Sequence, residues 1–240
     1  MEIRIHDIGG YILRNYVLET PLGWIGVDSG YPGGFSRYRA RFERLAPLRE
    51  MTFVFLTHAH NDHAGFLAEL LKESGARLVL SEKSLPRLAA GENILPEGTG
   101  FISRGARLFS SLMKSGAYPP VVPDGSALVL RDGRDQPFLD LGLPIRVVHL
   151  PGHTADSIAL FLEETRELLC GDAAANAVIA PARHAILIED AAAFCRSWDD
   201  MLALNPTRIY PSHGNPFSPE DLVKYRRYLD DNALFPPKRL

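Results

Sequence analysis

The amino-acid sequence predicts an α/β protein built in layers, two sheets face to face with helices outside. Apolar runs that read as strands fall into two sets, each followed by helical patterns, and that order implies layered packing around one core. The chain has 240 residues, 46% apolar and 23% charged, which suits a single soluble globular domain over residues 1–240. No apolar run approaches the ~20 residues a membrane helix needs.

The opening is antiparallel. Ile3 and Ile5 begin one strand, residues 11–20, starting at Tyr11, make a second, and residues 24–28 return after the turn Pro21-Leu22-Gly23. Tyr38, Phe42 and Leu45, at i, i+4 and i+7, predict a helix that Pro47 ends. Residues 52–56 are nearly all apolar, as in a strand buried on both faces. Leu67, Leu70 and Leu71 then form an amphipathic stripe stopped near Gly75, and residues 77–80 supply the next strand of a β-α-β unit. Residues 128–130, 145–150, 158–161 and 168–170 read as the second set of strands. Asp190 is placed to cap a helix carrying Phe194, Trp198 and Met201 that Pro206 ends, and Ile209-Tyr210 is a last short strand. Ser218-Pro219-Glu220-Asp221 starts a helix with Leu222, Tyr225 and Leu229 on its buried stripe.

The stretch Thr57-His58-Ala59-His60-Asn61-Asp62-His63 follows the apolar run directly. Collecting imidazoles and a carboxylate costs desolvation unless something compensates, and a divalent ion accepts these nitrogen and oxygen donors. Two His at i, i+2 on a strand end can face one ion, while the Asp62-His63 pair beyond swings toward a second. A His-rich surface loop is the bland alternative. Three further candidates weigh against it: His153 in Pro151-Gly152-His153-Thr154, Asp172 in Cys170-Gly171-Asp172, and His213 in Ser212-His213-Gly214. Three neutral imidazoles leave an ion its full charge, which lowers the pKa of bound water toward ~7.

Taken in order, His-x-His-x-Asp-His, Gly-His-Thr, Gly-Asp and Ser-His-Gly resemble the motifs of the metallo-β-lactamase superfamily, from Ile3 to about Tyr228. The resemblance implies a four-layer αββα sandwich with the site at one edge between the sheets. It implies that His58, His60 and His153 hold one metal, Asp62, His63 and His213 the second, and Asp172 bridges them. Two divalent ions follow, zinc foremost, with iron and manganese open because the donor set does not choose among them. The implied activity is hydrolysis of a small ester, lactone or thioester-like substrate by a hydroxide shared between the ions, with Asp62 as general base.

Particular relatives fit unevenly. Only 27 residues follow His213, too few for the helical domain of glyoxalase II-type thioesterases. Ala173-Ala174-Ala175-Asn176 lacks the Tyr that acyl-homoserine lactonases carry after the bridging Asp. True β-lactamases lack the bridging Asp and are exported, and the RNA-grasping arm of tRNA 3′-processing nucleases is missing. Persulfide dioxygenases, which bind one iron through the equivalents of His58, His153 and Asp172, are an alternative, and a non-catalytic metal-binding protein is another.

The 90-residue gap from His63 to His153 reads as an insertion at about 81–123, with one helical piece over 104–115, packed over the mouth of the site. Its other reading is a peripheral decoration or an oligomer contact, with a homodimer left open. Tyr31, Phe35, Arg104, Arg107, Lys114 and Tyr118 are candidates to line the pocket, against a solvated-surface reading. His184 is the first histidine outside the motifs to test for approach to the cleft; for it, as for His6 and His149, a structural or surface role is the other reading. Cys170 reads as a core thiol. A net charge of −3 argues against a nucleic-acid partner, and the absence of an export signal predicts a cytoplasmic protein with Cys170 and Cys195 reduced.

Overall fold

The computed structural model describes residues 2–10, 12–112, 116–131 and 134–237; Tyr11, Lys114 and Ser115, used in the sequence reading, lie outside them. β1 (Arg4–Asp7), β2 (Tyr16–Thr20) and β3 (Gly23–Val27) form the expected antiparallel opening. The second strand starts later than its apolar content suggests. Ile8 N–H bonds Asn15 O and Gly10 N–H bonds Leu13 O, which ties this stretch into a loop before the ladder begins.

Phe35, Tyr38 and Phe42 are buried by α1 (Phe35–Phe42), but Leu45 falls past the helix end and is 41% exposed. β4 (Met51–Phe55) is buried on both faces: Val54 clusters with Phe42, while Phe53 and Phe55 meet the ring of Phe138 at 5.6 and 6.3 Å. After it come a single turn, α2 (Asn61–Ala64), and α3 (Leu67–Ser74). Leu67 and Leu70 of α3 are fully buried, contributing about 1.5–3 kcal/mol each. Gly75, at φ 70°, ends the helix with its N–H on Leu71 O. β5 (Arg77–Ser81) runs parallel to β4 and completes the β-α-β unit.

The chain continues through α4 (Leu85–Ala90), β6 (Gly100–Phe101), α5 (Arg104–Leu112), β7 (Leu128–Leu130) and α6 (Pro137–Asp140). Next come β8 (Ile145–His149), β9 (Ile158–Leu162), β10 (Glu167–Gly171), β11 (Leu187–Ile188), α7 (Ala191–Ala203), β12 (Arg208–Pro211), α8 (Glu220–Tyr225) and α9 (Tyr228–Asp231). Two compact units result: Met1–Asn93 with Gly116–Pro144, and Ile94–Ser115 with Ile145–Leu240.

The first unit holds a six-stranded sheet in the order β1-β2-β3-β4-β5-β7. Residues 128–130, expected in the second set, instead pair in parallel with β5, from Val79↔Leu128 to Ser81↔Leu130. Three residues, with Leu130 alone buried, carry too short an alternation to reveal their sheet. In the second unit a four-stranded sheet runs β12-β10-β9-β8, beside the small pair β11-β6. Asp190 caps α7 by accepting from Ala193 N–H at 2.9 Å, and Phe194, Trp198 and Met201 pack with Phe161, Leu168 and Ile209. The helix stops at Ala203, ahead of Pro206. The single helix expected after Pro219 is two, α8 and α9, with Leu222 and Leu229 buried and Tyr225 only partly so. Among the described residues, no helix is long and apolar enough to cross a membrane.

Candidate metal centre

In the first unit, His58 and His60 lie just beyond β4, and α2 carries Asp62 and His63. His58, His60 and His63 are 0, 4 and 0% exposed, with ring centroids 4.8 Å apart for His58–His60 and 4.0 Å for His58–His63. Asp28, buried just past the end of β3, stands behind them. Its Oδ1 accepts from Thr57 N–H at 2.7 Å; its Oδ2 accepts from the Thr57 hydroxyl at 2.8 Å and from His63 Nδ1–H at 2.7 Å. With its own hydrogen donated to Asp28, the Thr57 oxygen accepts from His58 Nδ1–H at 3.1 Å. One carboxylate thereby fixes two imidazoles with the proton on Nδ1 and the lone pair on Nε2, as outer-shell carboxylates do for metal-binding His. Burial, reinforced by the same carboxylate, pushes the Tyr38 phenol up, so it stays protonated.

The donor spacing fits an ion. Two ligand atoms at ~2.0–2.1 Å from one tetrahedral ion stand about 3.3 Å apart. His58 Nε2 and His60 Nδ1 are 3.2 Å apart, where two lone pairs repel unless a cation or a proton lies between them. Asp62 Oδ2 is 3.7 Å from His63 Nε2.

In the second unit the donors come from three strand ends. Gly152, at φ 134°, precedes His153, and any Cβ there would overlap the backbone of Phe194, so the start of α7 rests directly on this turn. His153 Nδ1–H donates to Leu187 O at 2.7 Å, leaving the lone pair on Nε2. Asp172 follows β10 and His213 follows β12. Asp172 Oδ2 lies 3.6 Å from His153 Nε2 and 3.4 Å from His213 Nε2, so one carboxylate oxygen reaches both imidazoles. Asn176 N–H holds His213 O at 2.7 Å, and Gly214, at φ 92°, leaves no room for a Cβ against Asn176. His58 with His60, and His153 with Asp172, each bring donor atoms of the kind a divalent ion accepts to 3.2 and 3.6 Å of one another.

A sequence profile of the metallo-β-lactamase superfamily matches residues 14–213. The chain belongs to this superfamily. It is 25% identical over 231 residues to the "Beta-lactamase-like protein 2 homolog" of Caenorhabditis elegans, covering 94% of this chain and 64% of that one. With the "Probable metallo-hydrolase YflN" of Bacillus subtilis it shares 26% over 180 residues, 70% of this chain and 63% of the other. It therefore spans less than two thirds of the length of either relative. Among solved structures, BJP-1, a subclass B3 metallo-β-lactamase of Bradyrhizobium japonicum, superposes with a TM-score of 0.67 at 20% identity, covering 96% of this chain and 91% of that one. The α/β metallo-β-lactamase fold expected from the motifs is the fold observed.

Superfamily motifs point to the candidate ligands, not to what stands behind them. Asp28 is in no motif, although an Asp just past the apolar strand of Trp24 to Val27 occupies the same kind of position as the candidate ligands. Tyr118, for which a solvated surface was the other reading, is 3% exposed, and Phe35 is buried against Phe66 at 6.0 Å. Tyr31 is exposed, and Arg104 lies over the Phe235 ring at 5.7 Å. His184 is a core residue, 1% exposed and stacked on Trp198 at 4.3 Å. His6 meets Glu19 at 3.2 Å, and His149, the last residue of β8, pairs with Ile158 of β9. Cys170 and Cys195 are buried and not joined to each other. Burial, then the nearby Asp172, pushes the Cys170 thiol up, which makes it inert as a nucleophile.

Proposed function

We propose that this protein is a metal-dependent hydrolase of a small ester, lactone or thioester-like substrate. His58, His60 and His153 would hold one ion, Asp62, His63 and His213 a second, and Asp172 would be shared. The observation that carries this reading is the protonation pattern: His63 and His153 each lodge Nδ1–H on an internal acceptor, at 2.7 Å, and so present Nε2 as a ligand. Two zinc ions, when bound, would supply water acidified toward pH ~7 and a Lewis acid for a substrate carbonyl. Asp62, 16% exposed at its side chain, is the general base of this proposal: its carboxylate orients the attacking water and takes its proton. A net charge of −3 and the similarity to the probable metallo-hydrolase of Bacillus subtilis support a small-molecule substrate over a nucleic acid. Two free buried thiols support a cytoplasmic location.

Elemental analysis of the purified protein, followed by a panel of lactones, thioesters and phosphodiesters, tests the proposal. Two zinc per chain and chelator-sensitive acyl hydrolysis are expected, with Asp62→Asn lowering kcat by about 10²–10⁴-fold while at least one ion remains. One iron per chain with no hydrolysis would favour an oxidoreductase of the persulfide dioxygenase kind.

A further inference from the structure

We propose that Asn93 and Tyr118 are positioning residues for the metal-holding loop, gripping its backbone from the 81–123 segment. The inference rests on the reading of His58, His60 and His63 as ligands.

Two observations carry it. His60 precedes α2, where a capping side chain would ordinarily stand, yet it makes no cap bond, and its ring is engaged beside His58. The first N–H groups of a helix have no acceptor of their own. At Asn61 that acceptor comes from 32 residues away: Asn93 Oδ1 takes Asn61 N–H at 2.8 Å, and Asn93 Nδ2 returns a bond to Asn61 Oδ1 at 3.2 Å. This reciprocal pair does the work of a capping residue without using the position that a ligand needs.

The second grip is on the other side of His60. Ala59 separates His58 from His60, and its carbonyl accepts from Tyr118 Oη at 2.9 Å, with Arg87 O at 3.2 Å from the same hydroxyl. Tyr118 is itself anchored, its N–H on Gly91 O at 2.7 Å, and Val121 N–H on Leu88 O at 3.0 Å continues the tie. Gly91, at φ 65°, has no space for a side chain, since a Cβ would come within 2.6 Å of Tyr118 O. Neither Asn93 nor Tyr118 touches an imidazole in these bonds. Both fix main-chain atoms next to His60, and so set the spacing between His58 Nε2 and His60 Nδ1.

The test uses cobalt(II) as the probe in the full chain, comparing wild type with Asn93→Leu, Asn93→Asp and Tyr118→Phe. Measured are the visible d–d spectrum, cobalt affinity by chelator competition, and the melting temperature of the metal-free protein. Asn93→Leu and Tyr118→Phe should each weaken affinity by about tenfold, the lower end for outer-shell partners of a metal site, and shift the d–d bands. Asn93→Asp, which keeps the oxygen acceptor, should restore the wild-type spectrum. The inference is overturned if affinity and spectrum stay unchanged in Asn93→Leu and Tyr118→Phe, or if losses merely follow melting temperature and Asn93→Asp does not rescue them. A wild type that takes up no cobalt overturns the metal reading itself, and this inference with it.

Discussion

The four candidate ligands of the first unit fall within six consecutive positions, 58–63, whereas the three of the second arrive on separate loops after β8, β10 and β12. Their supports differ too. Asp28, Thr57, Asn93 and Tyr118 brace the first set through side chains. The second set is braced by the main chain: Leu187 O orients His153, Asn176 N–H holds His213 O, and Ser212 N–H bonds Gly171 O at 3.0 Å. A compact ligand cluster on one loop cannot fix itself and borrows distant polar groups, while ligands at the ends of paired strands inherit their placement from the sheet. The first set should therefore be fragile to side-chain deletion, and the second to changes in backbone freedom.

Asp28→Ala offers the largest expected effect on that contrast. It removes the partner of His63 and, through Thr57, of His58, so metal affinity measured by chelator competition should fall about 10–100-fold. No single side-chain truncation behind His153 or His213 should match it; an equal loss in Asn176→Ala would break the contrast. Gly152→Ala and Gly214→Ala come next. Each puts a Cβ into occupied space at positive φ, at 134° and 92°, and should lower the free energy of urea unfolding by more than about 1–3 kcal/mol. Asn176→Ala loses only the 2.8 Å bond from Nδ2 to Asn215 O and keeps its N–H on His213 O, so about 1 kcal/mol is expected in the same measurement. Asp190→Ala, which loses the α7 cap, should cost about 0.5–2 kcal/mol and leave metal affinity unaltered.

Much of this was legible where the signal is local. The His-x-His spacing needs only the two-residue period of extended chain, and Gly75 ends α3 by a left-handed turn that its sequence position announces. Asp28 was illegible as a support, because its partners lie 29 and 35 residues away and no periodicity links them. The burial of Tyr118 was illegible for a different reason. Glycine and proline around it suggest exposed loop, whereas Gly91 permits a close backbone approach that draws the ring inside. The strand at 128–130 was placed in the wrong set since parallel partners are chosen by crossover path, which composition does not record.

The backbone clamps on the histidine loop have a consequence during synthesis. Tyr118 is added 55 residues after His63, and Asn93 30 residues after it. At ~5–20 residues per second, the nascent loop exists for about 3–11 s with no tyrosine to hold it. A cation offered to the loop in that interval would meet it without the Tyr118 bond that the finished protein supplies.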